Sequence, residues 1–340
     1  MKKWICLLLA LLLMAPAAFA AEDEIILYSW EGCFPEDVLE EFTQETGIEI
    51  VIVPYSSVDE MLVKIQSDGQ YDLILGSDYA LDILRKGGYL QALDKEQIPN
   101  YVNLDPAYLN QYFDPDGEYT IPYMPGSPVI VYDPSKVEGE ITSFSDLWDP
   151  QFEDGLCLLD DARVMIGATL KTLGYSYNTT DEEELQQAAD KLASLRPNVR
   201  VFDSSAPHQF MISGEVKAAY LFTSYAIACV MENPELKCVF PEEGVGFGID
   251  AFVIPANASN PDGANQFLNF LCDGEIAARC NEWTMYLNVN LAAKEYLPES
   301  LTSLDALNIP EELLATKEFV EDVGETASVY QEIWETFKLS

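Results

Sequence analysis

The amino-acid sequence predicts an α/β protein with a mostly parallel sheet covered by helices on both faces. Strand-like runs rich in Ile, Leu and Val alternate with amphipathic helical segments from residue 24 onward, and this β-α-β-α-β order is typical of parallel sheets. Of the 340 residues, 49% are hydrophobic, which is the composition of a globular protein. A chain of this length predicts two domains or one large two-lobed domain.

Capping residues and glycines delimit the predicted elements. Pro35 stands where proline is favoured at a helix start, Gly47 stands where helices end, and Ser57-x-x-Glu60 has the pattern of a capping box. Residues 114–126 are expected to form a loop and a short strand. The predicted strands are Glu24–Ser29, 48–53, 71–75, Pro128–Tyr132, 156–159, 216–222 and 246–254. The predicted helices run from Pro35 to Gly47, onward from Ser57, over Asp78–Lys86, from 143, over 161–173 and 180–195, and onward from Asn260, whose apolar residues recur at helical spacing.

The N-terminus has the three parts of a secretory signal peptide. Met1-Lys2-Lys3 is basic, residues 4–14 are apolar, and Ala18-Phe19-Ala20 is a small-residue cleavage site. The apolar run is too short for a transmembrane helix, which takes roughly 20 residues. Residues 1–20 are therefore predicted to be removed, leaving an exported, soluble chain.

Acidic side chains strongly outnumber basic ones. The chain has 18 Lys and Arg against 58 Asp and Glu, and without Lys2 and Lys3 the balance is 16 against 58, a net charge of −42. This argues against nucleic-acid binding, which needs a basic face. A negative field favours cationic solutes, although the same charge also fits an ordinary acidic surface.

The cysteine count of the exported chain is even. In an oxidising compartment this suggests disulfides, and the sequence-local pairs Cys229/Cys238 and Cys272/Cys280 are candidates, with buried free thiols as the alternative. Zinc is disfavoured because the chain has no C-x-x-C and a single histidine, His208. The six cysteines are Cys33, Cys157, Cys229, Cys238, Cys272 and Cys280.

The sequence contains no recognisable catalytic motif. His208 lies outside any Ser-His-Asp pattern, and G-x-S-x-G, H-E-x-x-H and Walker A sequences are missing. Among 58 acids, spacing alone neither supports nor excludes a glycosidase-like carboxylate pair. We predict a protein that is not an enzyme and uses no cofactor.

Carboxylates and aromatic residues follow several of the predicted strands. Ligands of open α/β sheets bind beyond the carboxyl ends of the strands. A cationic solute needs carboxylates for its ammonium groups and aromatic walls for cation–π contact. The residues so placed are Trp30, Glu31, Ser77, Asp78, Tyr79, Asp160, Asp161 and Asp250.

These segments resemble the periplasmic spermidine/putrescine-binding proteins of polyamine ABC transporters. Single pieces such as DLW-x-P are modestly specific, but their order over roughly 300 residues is highly specific. The matching segments are LYSWEGCFPEDVLEEFTQETGIEI, YDLILGSDYALDILRKGGYLQALD, NLDPAYLNQYFDPDGEYTIPY, SFSDLWDPQFEDGLCLLDDAR, TLGYSYNTTD, FPEEGVGFGIDAFVIPANA, NLAAKEYL and DVGETASVY.

The resemblance implies a two-lobed periplasmic-binding-protein fold with the ligand in an interlobe cleft and hinge strands between the lobes. Lobe 1 would hold residues 22–127 plus 249–294, and lobe 2 would hold 128–248 plus 295–340. The protein would be a periplasmic monomer that carries a polyamine, putrescine or spermidine, to the membrane permease subunits of an ABC transporter.

The family's ligand-binding positions carry over one by one. Asp161 would grip one amine, and Asp250 is the best candidate for an ammonium counter-ion. Aromatic walls would come from Trp30 and from Phe222, which stands where the family has a tryptophan. The other matching positions are Ser77, Tyr79, Ser204 and Tyr286.

Four positions depart from the family pattern. Gly32 and Val164 stand where the family has acids, Gly248 replaces a tryptophan and Val320 a glutamine. Glu31 is a candidate substitute for the acid missing at Gly32. Two firm carboxylates suit a diamine better than a triamine. The alternatives are a different cationic or amino-bearing metabolite, or a sensory binding subunit with the same cleft.

Overall fold

Two β-sheets organise the chain in the computed structural model, which describes residues 24–67, 69–304 and 317–340. The predicted signal peptide lies outside the described residues. Within the described residues, no helix combines the length and apolarity needed to cross a bilayer. The strands are β1 (Glu24–Ser29), β2 (Glu49–Pro54), β3 (Leu73–Ser77), β4 (Leu90–Gln91), β5 (Ile121–Gly126), β6 (Pro128–Tyr132), β7 (Leu156–Leu158), β8 (Val199–Phe202), β9 (Ala218–Phe222), β10 (Lys237–Val239), β11 (Gly246–Pro255) and β12 (Glu318–Phe319).

Helices connect most of these strands. The α-helices are α1 (Glu36–Thr46), α2 (Val58–Gln66), α3 (Asp78–Lys86), α4 (Ala162–Lys171), α5 (Glu182–Ala193), α6 (His208–Ile212), α7 (Thr223–Glu232), α8 (Pro261–Leu271), α9 (Gly274–Thr284), α10 (Glu299–Thr302) and α11 (Ala327–Leu339). Short 3-10 helices cover Lys95–Gln97, Pro99–Asn103, Pro106–Tyr108, Phe144–Trp148, Pro150–Phe152, Arg196–Asn198, Ala292–Glu295 and Gly324–Thr326.

The first sheet has seven strands, in the order β12-β11-β3-β1-β2, with β4 and β5 also paired to β11. Strands β1, β2 and β3 are parallel, whereas β11 runs antiparallel to β3 and β5. Alternate side chains of β1 face opposite sides of the sheet, as strand geometry requires. Ile25 and Leu27 pack with α1, α8 and α9, and Tyr28 packs with α2 and α3.

The second sheet has five strands, in the order β10-β6-β9-β7-β8. Its inner strands are also covered on both faces. Ile130 and Tyr220 pack with α4, α5 and α11, and Val129 and Leu221 pack with α6 and α7. Strand β7 is parallel to both β8 and β9, so the carboxyl ends of these three strands lie along one edge of the sheet.

The α/β class and the alternating order of the predicted elements are confirmed. The bounds of β1, α3 and β6 agree with the predictions, and the αL conformation of Gly47 ends α1. The helix predicted from residue 143 is only a 3-10 segment. The capping box is half formed: the Ser57 hydroxyl accepts from the Glu60 N–H, but the Glu60 carboxylate accepts from Ser56 N at 3.0 Å instead of Ser57 N.

Several elements were missed by sequence reasoning. Helix α7 follows β9 directly, without a side-chain cap or a loop to separate them, and β10 is a three-residue strand at a sheet edge. The β3 strand begins two residues later than predicted, and the carboxylate of Asp72 just before it accepts from the backbone N–H groups of Ile26, Ser259 and Asn260. The other missed strands and α-helices are β4, β8, β12, α6, α9, α10 and α11.

The chain passes between the two sheets at defined points. Ser127, which is fully buried, is the single residue between β5 and β6, and residues 240–245 lead from β10 to β11. The two residues of β12 pair with Gly246 and Phe247 of β11, and all four residues fall in the range predicted for lobe 2. The exact lobe boundaries stay a prediction.

The predicted local disulfides are absent. Cys229, Cys272 and Cys280 are free thiols, so neither the Cys229/Cys238 nor the Cys272/Cys280 pair is bonded. Cys272 and Cys280 belong instead to the apolar core under the first sheet, and Cys229 to the core under the second. Burial raises the pKa of Cys229 and Cys272 to about 12 and that of Cys280 to about 11. These thiols therefore stay protonated and unreactive.

We expect excess dithiothreitol to leave the Tm of the purified protein unchanged, because no disulfide involves these buried thiols. A native disulfide typically contributes about 2–4 kcal/mol, so its reduction would lower the Tm by several degrees. Differential scanning calorimetry with and without reductant makes the measurement. Ellman's reagent should label these thiols only after unfolding. A reductant-dependent fall in Tm, with a disulfide-linked peptide in the mass spectrum, would contradict the thiol assignment.

Candidate functional site

The carboxyl edge of the first sheet carries an aromatic wall. Trp30 follows β1 and Tyr55 follows β2, and since these strands are parallel the two residues lie side by side. Their ring centroids are 4.2 Å apart, with the ring planes tilted by 52°. The Tyr55 hydroxyl donates to the Leu75 carbonyl at 2.7 Å, which fixes the tyrosine ring. The wall is therefore a rigid feature of the scaffold.

Asp250 lies beside this wall on β11. Its register partners are Ser77 of β3 and Met124 of β5, and the pairing with β5 shifts directly after it. Burial raises the pKa of Asp250 to about 6, although the neighbouring Ser77 hydroxyl and Trp30 indole act to lower it. The Trp30 Nε1 atom is itself buried and makes no hydrogen bond of standard geometry. The partly buried Asp250 carboxylate and the buried Trp30 Nε1 atom thus lie close together beside the aromatic wall.

Residues from several elements surround Asp250. The pKa of Cys33 is raised to about 12, mainly by burial and further by the charge of Asp250. The pKa values of Tyr55 and Tyr286 are raised in the same way, first by burial and then by this carboxylate. In the part of the chain that the structure describes, no Lys, Arg or His forms an ion pair with Asp250. A desolvated carboxylate without a counter-ion is costly, and a bound cation is its natural partner.

The carboxyl edge of the second sheet carries Asp161. This residue is the N-cap of α4, and its Oδ1 accepts from the Val164 N–H at 2.9 Å. Burial raises the pKa of Asp161 even though backbone N–H groups and the charge of Arg163 act to lower it. The carboxylate keeps acceptor capacity beyond the cap, since an ionised carboxyl has two oxygens.

Arg163 was not predicted as a site residue. Its Nη1 donates to the Glu321 carbonyl at 3.0 Å and its Nη2 to Asn178 Oδ1 at 2.7 Å. The guanidinium also lies 4.6 Å from the centroid of the Tyr330 ring. These contacts hold the Arg163 guanidinium within the second half of the molecule. Among the described residues, Arg163 and Asp161 form no ion pair, which would need a nitrogen–oxygen distance within 4 Å. The charge of Arg163 still acts on Asp161, so a cationic ligand would be the second positive charge near this carboxylate.

The two sheet edges face each other across a cleft. Burial raises the pKa of Tyr79, which follows β3, and Asp59 and Asp161 raise it further, while Arg163 acts to lower it. Tyr79 of the first sheet is thus close to Asp161 of the second. Tyr286 also reaches both sides: its ring would lie 3.1 Å from a Cβ built on Gly126, and Ser224 of α7 is beside its hydroxyl.

The structure brings together six of the nine predicted site residues, and the other three are not part of this group. Glu31 is exposed in the turn after β1. Ser204 is exposed and its hydroxyl accepts from the Asp160 N–H at 2.9 Å, and Phe222 packs against the core of the second sheet. The roles of all nine stay predictions. The six that converge are Trp30, Ser77, Tyr79, Asp161, Asp250 and Tyr286.

Tyr55 was not predicted as a site residue, and Asp78 was noted beyond β3 but was not assigned a ligand-binding role. The rule that ligands lie beyond strand ends could have found Tyr55, which directly follows β2. Asp78 is 3% exposed and accepts from Tyr79 N at 2.7 Å and Ile249 N at 3.1 Å, so it joins the start of α3 to β11. Burial raises its pKa well above the usual range. This pairing of distant segments has no local sequence signal.

Gly248, which stands where the family has a tryptophan, leaves open space beside Asp250. A Cβ built on Gly248 would meet no atom closer than Asp78 Oδ2, at 4.0 Å. Across the described residues, no group of three or more His, Cys, Asp or Glu side chains is arranged to hold a metal ion. The arrangement is chemically suited to bind a cation between two carboxylates and an aromatic wall.

Comparisons with known proteins agree with this geometry. The model of the bacterial extracellular solute-binding protein family matches residues 37–307. The spermidine/putrescine-binding periplasmic protein of Salmonella typhimurium is 37% identical over 345 residues, covering 99% of this chain and 99% of the relative. The protein of the same name from Escherichia coli strain K12 gives the same identity and coverage.

A solved structure shows the same architecture. The spermidine/putrescine ABC transporter substrate-binding protein PotD from Streptococcus pneumoniae superposes with a TM-score of 0.84 at 31% identity, covering 94% of this chain and 99% of the other. The predicted two-lobed periplasmic-binding-protein fold and the family resemblance are therefore confirmed. The chain belongs to the bacterial extracellular solute-binding protein family.

Proposed function

We propose that this protein is the periplasmic receptor of an ABC transporter and binds a polyamine in the cleft between its two sheets. The signal peptide, residues 1–20, would be removed on export. Lobe 1 (22–127 plus 249–294) and lobe 2 (128–248 plus 295–340) would close on the ligand as a monomer and present it to the membrane permease. The protein would carry out no chemistry on the ligand and bind no nucleic acid.

The observation that carries this proposal is the partly buried carboxylate of Asp250, which has no ion-pair partner among the described residues. A pKa raised to about 6 means that the ionised form is disfavoured in the protein alone. An ammonium group would supply the missing counter-ion and favour the ionised form. The relatives from Salmonella typhimurium and Escherichia coli are named for binding spermidine and putrescine, which are cations of this kind.

Different residues of the cleft would contact different parts of the ligand. Asp250 and Asp161 would each accept charge-assisted hydrogen bonds from one ammonium, worth about 1.5–3 kcal/mol apiece. Trp30 and Tyr79 would cover the methylene chain and contribute cation–π attraction of about 0.5–2 kcal/mol. Because the two carboxylates lie on different sheets, a ligand that bridges them favours the closed arrangement of the lobes.

The number of carboxylates favours a diamine over a triamine. Val164, where the family has an acid, is 6% exposed and packs in the core of the second sheet. Glu31 is exposed and lies outside the group that surrounds Asp250. A third ammonium would then lack a firm counter-ion in the cleft. Putrescine is accordingly the ligand that this site suits best.

A thermal-shift screen against putrescine, cadaverine, spermidine, spermine, agmatine and the common amino acids tests the ligand class. We expect a diamine to give the largest increase in Tm, because ligand at a hundredfold excess over Kd stabilises the folded state by about 2.7 kcal/mol. An increase with an amino acid or another solute, and none with any amine, would show that the polyamine assignment is wrong.

The Asp250→Asn variant tests the central carboxylate. We expect loss of the putrescine-dependent shift, because the amide offers no counter-charge to an ammonium. Since ionised Asp250 is destabilising at neutral pH, the unliganded variant should melt at a temperature equal to or above that of the parent. Glu232→Gln is a matched control, as it removes one exposed acid on α7 and should leave the shift intact. A full putrescine shift in Asp250→Asn would remove Asp250 from the site.

The affinity for a diamine should weaken at acidic pH. Only ionised Asp250 pairs with an ammonium, and the diamine itself stays charged throughout this range. With a pKa of about 6 in the free protein, the ionised fraction falls about tenfold between pH 7 and pH 5, and the association constant should fall with it. Isothermal titration calorimetry across this range makes the measurement. A flat profile between pH 7 and pH 5 would contradict the role given to Asp250.

A further inference from the structure

A buried tyrosine ring fills the gap between the two elements that carry the cleft carboxylates. Tyr177 lies in the connection between α4 and α5 and is fully buried. A Cβ built on Gly167 of α4 would lie 2.0 Å from Tyr177 Cδ1, and one built on Gly246 of β11 would lie 2.7 Å from Cε1. Both distances are far below van der Waals contact. The ring therefore occupies the space that side chains of α4 and β11 would otherwise fill.

Backbone and side-chain contacts hold this ring in place. The Tyr177 N–H donates to Glu318 Oε1 at 3.1 Å, and the Tyr177 carbonyl accepts from the Tyr330 hydroxyl at 3.2 Å. Glu318 also binds Lys171, the last residue of α4, at 3.2 Å, and pairs with Gly246 through its backbone. The tyrosine hydroxyl makes only long contacts, 3.4 Å to the Val164 carbonyl and 3.5 Å to the Tyr220 hydroxyl. Its ring, more than its hydroxyl, determines the packing.

The two packed elements lead directly to the cleft. Helix α4 begins after its N-cap, Asp161, six residues before Gly167. Strand β11 carries Asp250 four residues after Gly246. Protein interiors are densely packed, so a change in the thickness of the material between two elements changes their separation. The Tyr177 ring is thus a spacer that acts on the distance between Asp161 and Asp250.

We propose that Tyr177 is a positioning residue that determines which length of α,ω-diamine the cleft prefers, by fixing the separation of α4 and β11. This inference rests on the proposed function, since the two carboxylates are taken to bind the two ends of one ligand. Thinning the spacer would let α4 settle closer to β11 and favour shorter diamines. Thickening it would separate the two elements and favour longer ones. Tyr177 does not itself contact the ligand.

The test compares calorimetric Kd values for diamines of three, four, five and six carbons across a small set of variants. Tyr177→Leu removes the ring and should shift the ratio of affinities toward shorter diamines by at least about threefold. Ligands that differ by one methylene group are discriminated by at least this much in a packed site. Gly246→Ala adds a methyl group against the ring and should shift the ratio toward longer diamines. Tyr177→Phe keeps the ring and should preserve the parent's order.

A purely structural role would give a different pattern. In that case Tyr177→Leu would lower the Tm and weaken all the diamines by one common factor, or leave them unchanged, and the spacer role would be overturned. If Gly246→Ala does not fold, the Tyr177→Leu and Tyr177→Phe pair still decides the question. If the parent protein binds none of the diamines, the proposed function fails. Crystal structures of the parent and Tyr177→Leu then test the spacer alone, which an unchanged Cα separation between Asp161 and Asp250 would refute.

Discussion

A partly buried carboxylate with no ion-pair partner among the described residues is the constraint on which the proposed binding site depends. Asp250 lies near Trp30, Tyr55 and Tyr286, and burial raises its pKa although the Trp30 indole acts to lower it. The folded state tolerates the cost of this unpaired carboxylate because the apolar contacts of four clusters stabilise the fold. A cation bound beside Asp250 would offset the free-energy cost of its ionised form, and this gain would contribute to the binding free energy. Local destabilisation of this kind is common at ligand sites.

Strand β11 links this electrostatic feature to the architecture. It pairs with β3 and β5 through its central residues and with β12 at its beginning, and it follows the segment that returns from the second sheet. Asp78 joins it to the start of α3 through Ile249. The same strand therefore positions the carboxylate that we propose binds the ligand, and it connects the two halves of the molecule. On the proposed function, the charge of the ligand and the closure of the lobes would be coupled through this one strand.

Local patterns in the sequence were enough to predict much of the fold and part of the site. The alternation of apolar runs and capped helices predicted β1, α3 and β6 with correct bounds, because each is decided by its own residues. The strand-end rule and the family resemblance identified Trp30, Asp161 and Asp250, which the structure brings to facing sheet edges.

Features that depend on long-range contacts were not predictable in this way. Asp78 has its role because Ile249, 171 residues away, donates to it, and Tyr177 fits only because two distant positions are glycine. The cysteine pairs were misjudged for the same reason, since proximity along the chain does not bring Cys272 and Cys280 into a bond when both side chains face an apolar core. Sequence spacing informs local structure but not which buried groups meet.

The most direct test of the account is the pKa of Asp250 itself, followed by carbon-13 NMR of the aspartate carboxyl groups, with Asp250→Asn to assign the resonance. We predict a pKa of about 6 in the free protein and a fall of at least about one unit when putrescine saturates the cleft, because a nearby cation favours the ionised form. A free-protein value near 4, or a value that putrescine leaves unchanged, would contradict the claim that the ligand supplies the missing counter-ion.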